Sequence, residues 1–286
     1  MSEEVEMKPL VYQTDFGMSD GAVSAMYGVA LKVSPELKIY DLTHDIEPYN
    51  IWEAGYRLLQ TVTYWPEGTV FVSVVDPGVG SDRRSVVVKL LSGQLIVTPD
   101  NGTLTFLKKR GMIAAARLLD EENNRLKGSE ESYTFYGRDV YAYTGARLAA
   151  ELIPFSEAGE EVAVSSIVEM AEEEPYLLED GSVCGTIDVL DVRFGSLWTN
   201  IPLSLFRTLG IGIGERLEVV LSNEKRTVYR NTMQYAKSFA SVYVGEPLVY
   251  ANSLSCMAVA INQGSFAKAY SIGTGNSWHI VFRKIN

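Results

Sequence analysis

A chain of 286 residues, 47% hydrophobic and 21% charged, exceeds the usual size of one domain and has an ordinary globular composition, so two domains are expected. Its formal net charge of −11 argues against a nucleic-acid backbone as partner, since that contact needs clustered Lys and Arg. No stretch approaches the ~20 consecutive apolar residues that span a bilayer, and the acidic start Met1–Glu6 lacks the basic-then-apolar order of a secretory signal; a cytoplasmic location is the expectation.

In chain order, residues 10–14 are a short β-rich run leading into Asp15-Phe16-Gly17. Val23, Met26, Tyr27, Ala30 and Leu31 then recur at helical spacing over residues 22–32. A strand-like run at 37–40 ends in Asp41-Leu42, a helical pattern covers Ile51 to about Thr61, and Pro66-Glu67-Gly68 breaks the chain. Residues 70–75 form a buried-type strand, two more strands follow at 85–90 and 95–98, and helices are expected over 104–109 and 140–152. This alternation predicts an α/β domain at residues 1–168, with a largely parallel sheet between helices. Glu172-Glu173-Glu174-Pro175 reads as solvated linker, placed at residues 169–180. Beyond it the helical pattern fades. Strand-like runs at 183–189, 217–221, 227–229, 239–244, 257–260 and 278–282 predict an all-β, barrel-like domain at residues 181–286.

Four strands of the first half end in or near an aspartate: Asp15, Asp41, Asp76 and Asp100. In an open parallel sheet, ligands bind beyond the carboxyl ends of the strands, so these side chains could share a cleft. Aspartate is also an ordinary turn and cap residue there. Asp41 and Asp100 are read as structural, whereas Asp15 and Asp76 precede glycine-containing loops that let a ligand approach. The loop Asp76-Pro77-Gly78-Val79-Gly80 runs on to Arg83 and Arg84. Its G-x-G leads into a strand rather than a helix, which excludes a dinucleotide fold, and no Walker loop is present. An arginine at the far end can hold Asp76 ionised and oriented. Tyr136 beside Gly137 could face the same cleft, with Asp139 as a helix N-cap. In the second half, Arg193 to Asn200 is an aromatic and polar cluster, and Gly210-Ile211-Gly212-Ile213-Gly214 is a loop. Cys184 and Cys256 read as buried free thiols, and neither histidine, His44 nor His279, has a neighbour at zinc-ligand spacing. No metal or cofactor site is expected.

At these residues the chain resembles the SAM hydroxide adenosyltransferase family, related to the fluorinase and chlorinase. The resemblance runs from about residue 9 to the C-terminus. It rests on Thr14-Asp15-Phe16-Gly17 with Asp20, Asp41 to His44, Asp76 to Gly80, Pro99 to Gly102, Thr134 to Asp139, Phe194 to Asn200, Asn252-Ser253 and Asn262 to Gly264. It implies an α/β domain followed by a β-barrel domain, and a homotrimer with active sites between one subunit's N-domain and its neighbour's C-domain. The implied reaction is hydrolysis of S-adenosyl-L-methionine, the substrate rather than a cofactor, to adenosine and L-methionine. Chlorinase-like halogenation and non-catalytic binding of an adenosyl ligand are the alternatives. The carry-over implies that Asp15 binds the ribose hydroxyls and Asp20 the methionine end, and that Tyr49 and Phe194 pack on the nucleoside. Asp191 and Ser253 would hold the amino-acid portion, with Ser196 near them, and backbone at Asn262 and Gln263 the adenine. Asp76 and Arg83 match the water-positioning set. Its histidine is replaced by Tyr136, followed by Gly137 as in the chlorinase-like pattern. Ser196 stands where many relatives have Asn, and Leu254 where the fluorinase pattern has Arg.

Overall fold

The computed structural model describes residues 7–285 and divides into two units, one ending at Met170 and one beginning at Ala171. The expectation drawn from the first six residues lies outside the described ones.

The first unit carries strands β1 (Leu10–Thr14), β2 (Ile39–Thr43), β3 (Val70–Val74), β4 (Ser85–Leu90), β5 (Leu95–Pro99), β6 (Ile113–Leu119) and β7 (Gly159–Val162), with helices α1 (Ala22–Val33), α2 (Ile51–Thr61), α3 (Thr105–Lys109) and α4 (Tyr143–Ala149). The sheet order is β2-β1-β3-β5-β4-β6-β7. β2, β1, β3 and β5 run parallel, and β6 shares their direction because it is antiparallel to β4. The sheet is therefore largely parallel, with β4 and β7 reversed. β1 and β3 are buried along their whole length, as central strands covered on both faces must be. Tyr12, Val72, Met26, Tyr141 and Ala146 meet in one core on one side, each essentially without solvent contact. α4 lies so close to β3 that a Cβ on Gly145 would stand 2.3 Å from Val72 Cγ2.

Two local expectations are corrected. β6 was not anticipated, since Ile113–Leu119 is alanine-rich and lacks β-branched residues beyond its first position. The helix expected over 140–152 begins earlier, as a π-helical turn at Gly137–Ala142, and ends at Ala149. Asp139 is consequently no N-cap. It lies inside that turn, fully buried, and takes a bidentate pair from Arg138 at 2.6 and 2.9 Å.

The second unit carries β8 (Tyr176–Leu177), β9 (Val183–Leu190), β10 (Leu197–Pro202), α5 (Leu203–Phe206), β11 (Arg216–Asn223), β12 (Arg226–Tyr235), β13 (Pro247–Ala251), β14 (Cys256–Ile261), α6 (Phe266–Tyr270) and β15 (Gly275–Lys284). The order β10-β14-β13-β12-β11-β15-β9 closes on itself through β9–β10 pairing, giving a seven-stranded barrel among the described residues. β8 pairs with the start of β9, so residues 176–177, expected within a linker, are strand. Leu217, Val219 and Leu221 point inward from β11 in strict alternation, and meet Ile280, Phe282 and Phe206 in the barrel core. Residues 239–244, expected as strand, instead form a 3₁₀ turn at Phe239–Ser241 and a loop. Cys184 and Cys256 are buried thiols that are not joined in a disulfide.

Candidate active site

The parallel pairing Thr14↔Val74 sets the carboxyl ends of β1 and β3 side by side. Asp15 and Asp76 emerge there and line one open cleft of about 500 Å³, together with Phe16, Asp20, Tyr49, Tyr136 and Gly137. Asp41 and Asp100 sit on the flanking strands and are otherwise engaged. Asp41 accepts from Tyr27 at 2.5 Å and from His44 Nε2 at 3.0 Å, while His44 Nδ1 meets Thr14 Oγ1 at 2.8 Å. Asp100 is buried against Arg84 and accepts the Val168 N–H. Asp41 belongs to the support behind Asp15, and Asp100 to the fold.

Asp15 Oδ2 accepts the backbone N–H of Tyr49 at 2.9 Å. Tyr49 is held at φ 70, a conformation that typically costs ~1–3 kcal/mol in a bulky residue. The strained backbone leaves the ring 73% exposed at the cleft. Asp20 also lines the cleft and accepts from Ala22 N–H at 2.8 Å, so one of its oxygens is already engaged by the first residue of α1. Gly137 lines the cleft, and its missing Cβ makes room for a neighbouring ring. A Cβ there would lie 2.9 Å from two carbons of the Phe16 ring, which fills that volume and packs edge-on against Phe135.

Asp76 is nearly inaccessible, its side chain 5% exposed, and is gripped by Arg83. Arg83 Nε lies 3.1 and 3.0 Å from the two carboxylate oxygens, and Nη2 donates at 2.6 Å. Burial opposes the guanidinium charge, but the hydrogen bonds to Asp76 and the neighbouring anions outweigh it and raise the Arg83 pKa. The three contacts have the geometry of a charge-assisted arginine–carboxylate pair. Tyr136 is 7% exposed, with Arg83 at 5.0 Å and Arg125 at 4.5 Å from its ring centroid. Arg125 and Glu121 were not singled out in the sequence. Both lie in the polar stretch after β6, and a strand that went unread left nothing to place them near Asp76.

In the second unit a cleft of about 620 Å³ is lined by Arg193, Phe194, Phe239, Asn262, Gln263 and neighbours. Asp191 builds its rim, since Oδ1 accepts the N–H groups of Arg193 and Phe194, both at 3.1 Å. Phe194 is left 70% exposed. Gly195, at φ 65, lets the loop turn directly against Ser265. Ser196 is buried near Tyr250, whose pKa is pushed up chiefly by burial. Ser253 is exposed on the turn after β13 and does not line this cleft. The Asn262 N–H is committed to Glu246, and its carbonyl already accepts from Gly245, so only a second lone pair remains for a ligand. Gln263 stands at φ 56 on the rim. Among the described residues no group of three or more His, Cys, Asp or Glu could hold a metal ion, and no helix is long and apolar enough to cross a membrane.

The model of the SAM hydroxide adenosyltransferase N-terminal domain matches residues 10–159, and that of the C-terminal domain matches residues 185–279. The chain is 34% identical over 268 residues to a Salinispora tropica protein named (R)-S-adenosyl-L-methionine hydrolase, covering 93% of this chain and 94% of that one. It is 27% identical over 301 residues to a fluorinase from Actinopolyspora mzabensis, covering 97% and 98%. A crystal structure of an uncharacterized conserved protein from Thermotoga maritima shares the fold with a TM-score of 0.86 at 29% identity, covering 96% of this chain and all of that one. With both units matched in order, this chain belongs to the SAM hydroxide adenosyltransferase family.

Proposed function

We propose that this protein hydrolyses S-adenosyl-L-methionine to adenosine and L-methionine. The carrying observation is the buried Asp76 carboxylate, fixed by Arg83 in the cleft that also presents Asp15. Asp15 would take the ribose hydroxyls, and Asp20 and Tyr49 the methionine and nucleoside parts. Water is oriented by Asp76 and attacks ribose C5′ in line. The O–C5′ bond forms as the C5′–S bond breaks, the electron pair stays on sulfur, and the proton passes to Asp76 and then to solvent. Methionine leaves as a neutral thioether, so no general acid is needed. Positioning and exclusion of bulk water would supply most of the rate. Tyr136, buried with two guanidiniums against its ring, is assigned a hydrogen-bonding role and not that of the base.

The second unit's cleft, with exposed Phe194 on its rim, would cover the adenosyl group of a neighbouring subunit's substrate in a homotrimer. Light scattering tests that assembly, and a monomer that turns over normally would refute it. No cofactor is invoked, and the cytoplasmic location expected from the sequence accompanies this reading. The deciding experiment incubates the protein with S-adenosyl-L-methionine in H₂¹⁸O, with and without chloride. Adenosine carrying ¹⁸O at the 5′-hydroxyl, independent of chloride, is expected. Chloride-dependent 5′-chloro-5′-deoxyadenosine would assign the cleft to halogenation, and binding without product would make the protein a ligand-binding one.

A further inference from the structure

Arg83 has a second set of partners on the side away from Asp76. Nη1 donates to Ser85 Oγ at 3.0 Å and lies 3.4 Å from Glu121 Oε1. Ser85 Oγ donates to Glu121 Oε1 at 2.5 Å and contacts the Tyr141 hydroxyl at 2.8 Å. A serine hydroxyl has one hydrogen. With that hydrogen on Glu121, Tyr141 must donate to Ser85, and burial pushes the Tyr141 pKa up, which keeps its proton in place. Hydrogen bonds from Tyr141 and Arg83 therefore converge on Ser85 and end on Glu121. The other charged or titratable groups around this cluster are Asp76 on the guanidinium, Tyr136 beneath it and Arg125 on the Tyr136 ring.

Antiparallel pairing of β4 with β6, Val86↔Leu118, brings the start of one strand beside the end of the other, so Glu121 reaches Ser85 across 36 residues of sequence. Asp120 fixes the turn that follows, accepting from Asn123 N–H at 3.1 Å and Nδ2 at 2.6 Å. The Glu121 side chain is 30% exposed, whereas Arg83 and Asp76 are 10% and 5% exposed. Glu121 thus enters from the rim and is not needed to fill a core.

We infer that Glu121, acting through Ser85, is a positioning residue that locks the Arg83 guanidinium so that its Nε–Nη2 edge faces Asp76. This rests on the hydrolase reading for its kinetic consequence, but the locking itself is a property of the ligand-free protein. Glu121→Ala leaves Arg83 Nη1 with Ser85 alone and frees the serine hydrogen. Glu121→Gln keeps an oxygen acceptor in place. Displacement of a catalytic group by a fraction of an ångström to 1 Å costs up to about 100-fold in rate, so Glu121→Ala is expected to lower kcat about 10- to 100-fold with little change in KM. Glu121→Gln should restore most of that loss.

The test combines kinetics with NMR of the Arg83 side chain in the full-length protein. In the native protein and Glu121→Gln, Arg83 should give separate, slowly exchanging Nη1 and Nη2 signals; in Glu121→Ala these should merge. In an Arg83→Lys background Glu121→Ala should change kcat less than about twofold, because the two residues act as one unit. Ser85→Ala should reproduce the loosened Arg83 signals independently of Glu121. Separate Arg83 signals in Glu121→Ala, or an undiminished effect of Glu121→Ala in the Arg83→Lys background, would overturn the assignment. A native protein that makes no adenosine would instead refute the hydrolase reading, and the Arg83 signals would still decide the role of Glu121.

Discussion

Replacing Asp76 by Asn removes one charge and changes almost no volume, so its effects on rate and stability can be separated. Three Arg83 contacts, at 3.1, 3.0 and 2.6 Å, converge on the carboxylate. Asparagine accepts through one oxygen only, and its amide then faces a guanidinium N–H, donor against donor. The loss is one charge-assisted hydrogen bond, ~1.5–3 kcal/mol. It should not reach the ~3–5 kcal/mol of a stripped buried charge, because Glu121 still faces Arg83. For a domain of this size the melting temperature should fall by roughly 3–12 °C. Loss of general-base assistance removes about 100- to 10,000-fold in rate. At 1.36 kcal/mol per tenfold this is ~2.7–5.4 kcal/mol of transition-state stabilisation. On the proposed reading ground-state binding falls to Asp15 and the aromatics, so Kd should change by less than about threefold. Single-turnover adenosine formation by chromatography and calorimetric titration with S-adenosyl-L-methionine measure the two quantities at 25 °C. A kcat within tenfold of the native protein would refute the role of Asp76. A loss of binding as large as the loss of rate would show that Asp76 holds substrate instead.

Gly137→Ala should push Phe16 into the cleft, raising KM several-fold and costing ~1–3 kcal/mol of stability; unchanged KM would mean that Phe16 yields elsewhere. Tyr136→Phe keeps the ring beside both guanidiniums and should hold kcat within about tenfold, whereas Tyr136→Ala should not. Collapse of activity in the Phe variant, measured by the same adenosine assay, would make the phenol the base. Burial raises the pKa of Tyr12 and Tyr141 above the unfolded value, so the folded state holds their protons more tightly. Stability from this source is complete below about pH 10 and is lost as pH rises beyond it, which denaturant midpoints between pH 8 and 11 should show. A midpoint that stays flat to pH 11 in the native protein would contradict this.

Much of this molecule was legible in its sequence, because the relevant signals are local. A short β-branched run such as residues 70–75 reads as a strand buried on both faces, and helical spacing over residues 22–32 placed α1. Asp15 and Asp76 stood out because each precedes a glycine-containing loop, and the Arg83 partner lay within the same short segment. β6 and β10 were harder. An alanine-rich strand and a strand mixing Trp, Thr and Asn carry no clear periodicity, and their pairing partners impose the extended form. The crowding of Gly137 by Phe16, the burial of Ser196 and the commitment of the Asn262 backbone are likewise invisible in one dimension. So is Glu121, which reaches Arg83 only because β4 and β6 pair antiparallel. Sequence by itself determined most of the elements, their order and the candidate site residues, since these signals depend on local sterics and hydrophobic pattern. Only the tertiary structure decided which polar groups remain free for a ligand, because a side chain's availability depends on partners that folding brings from distant parts of the chain.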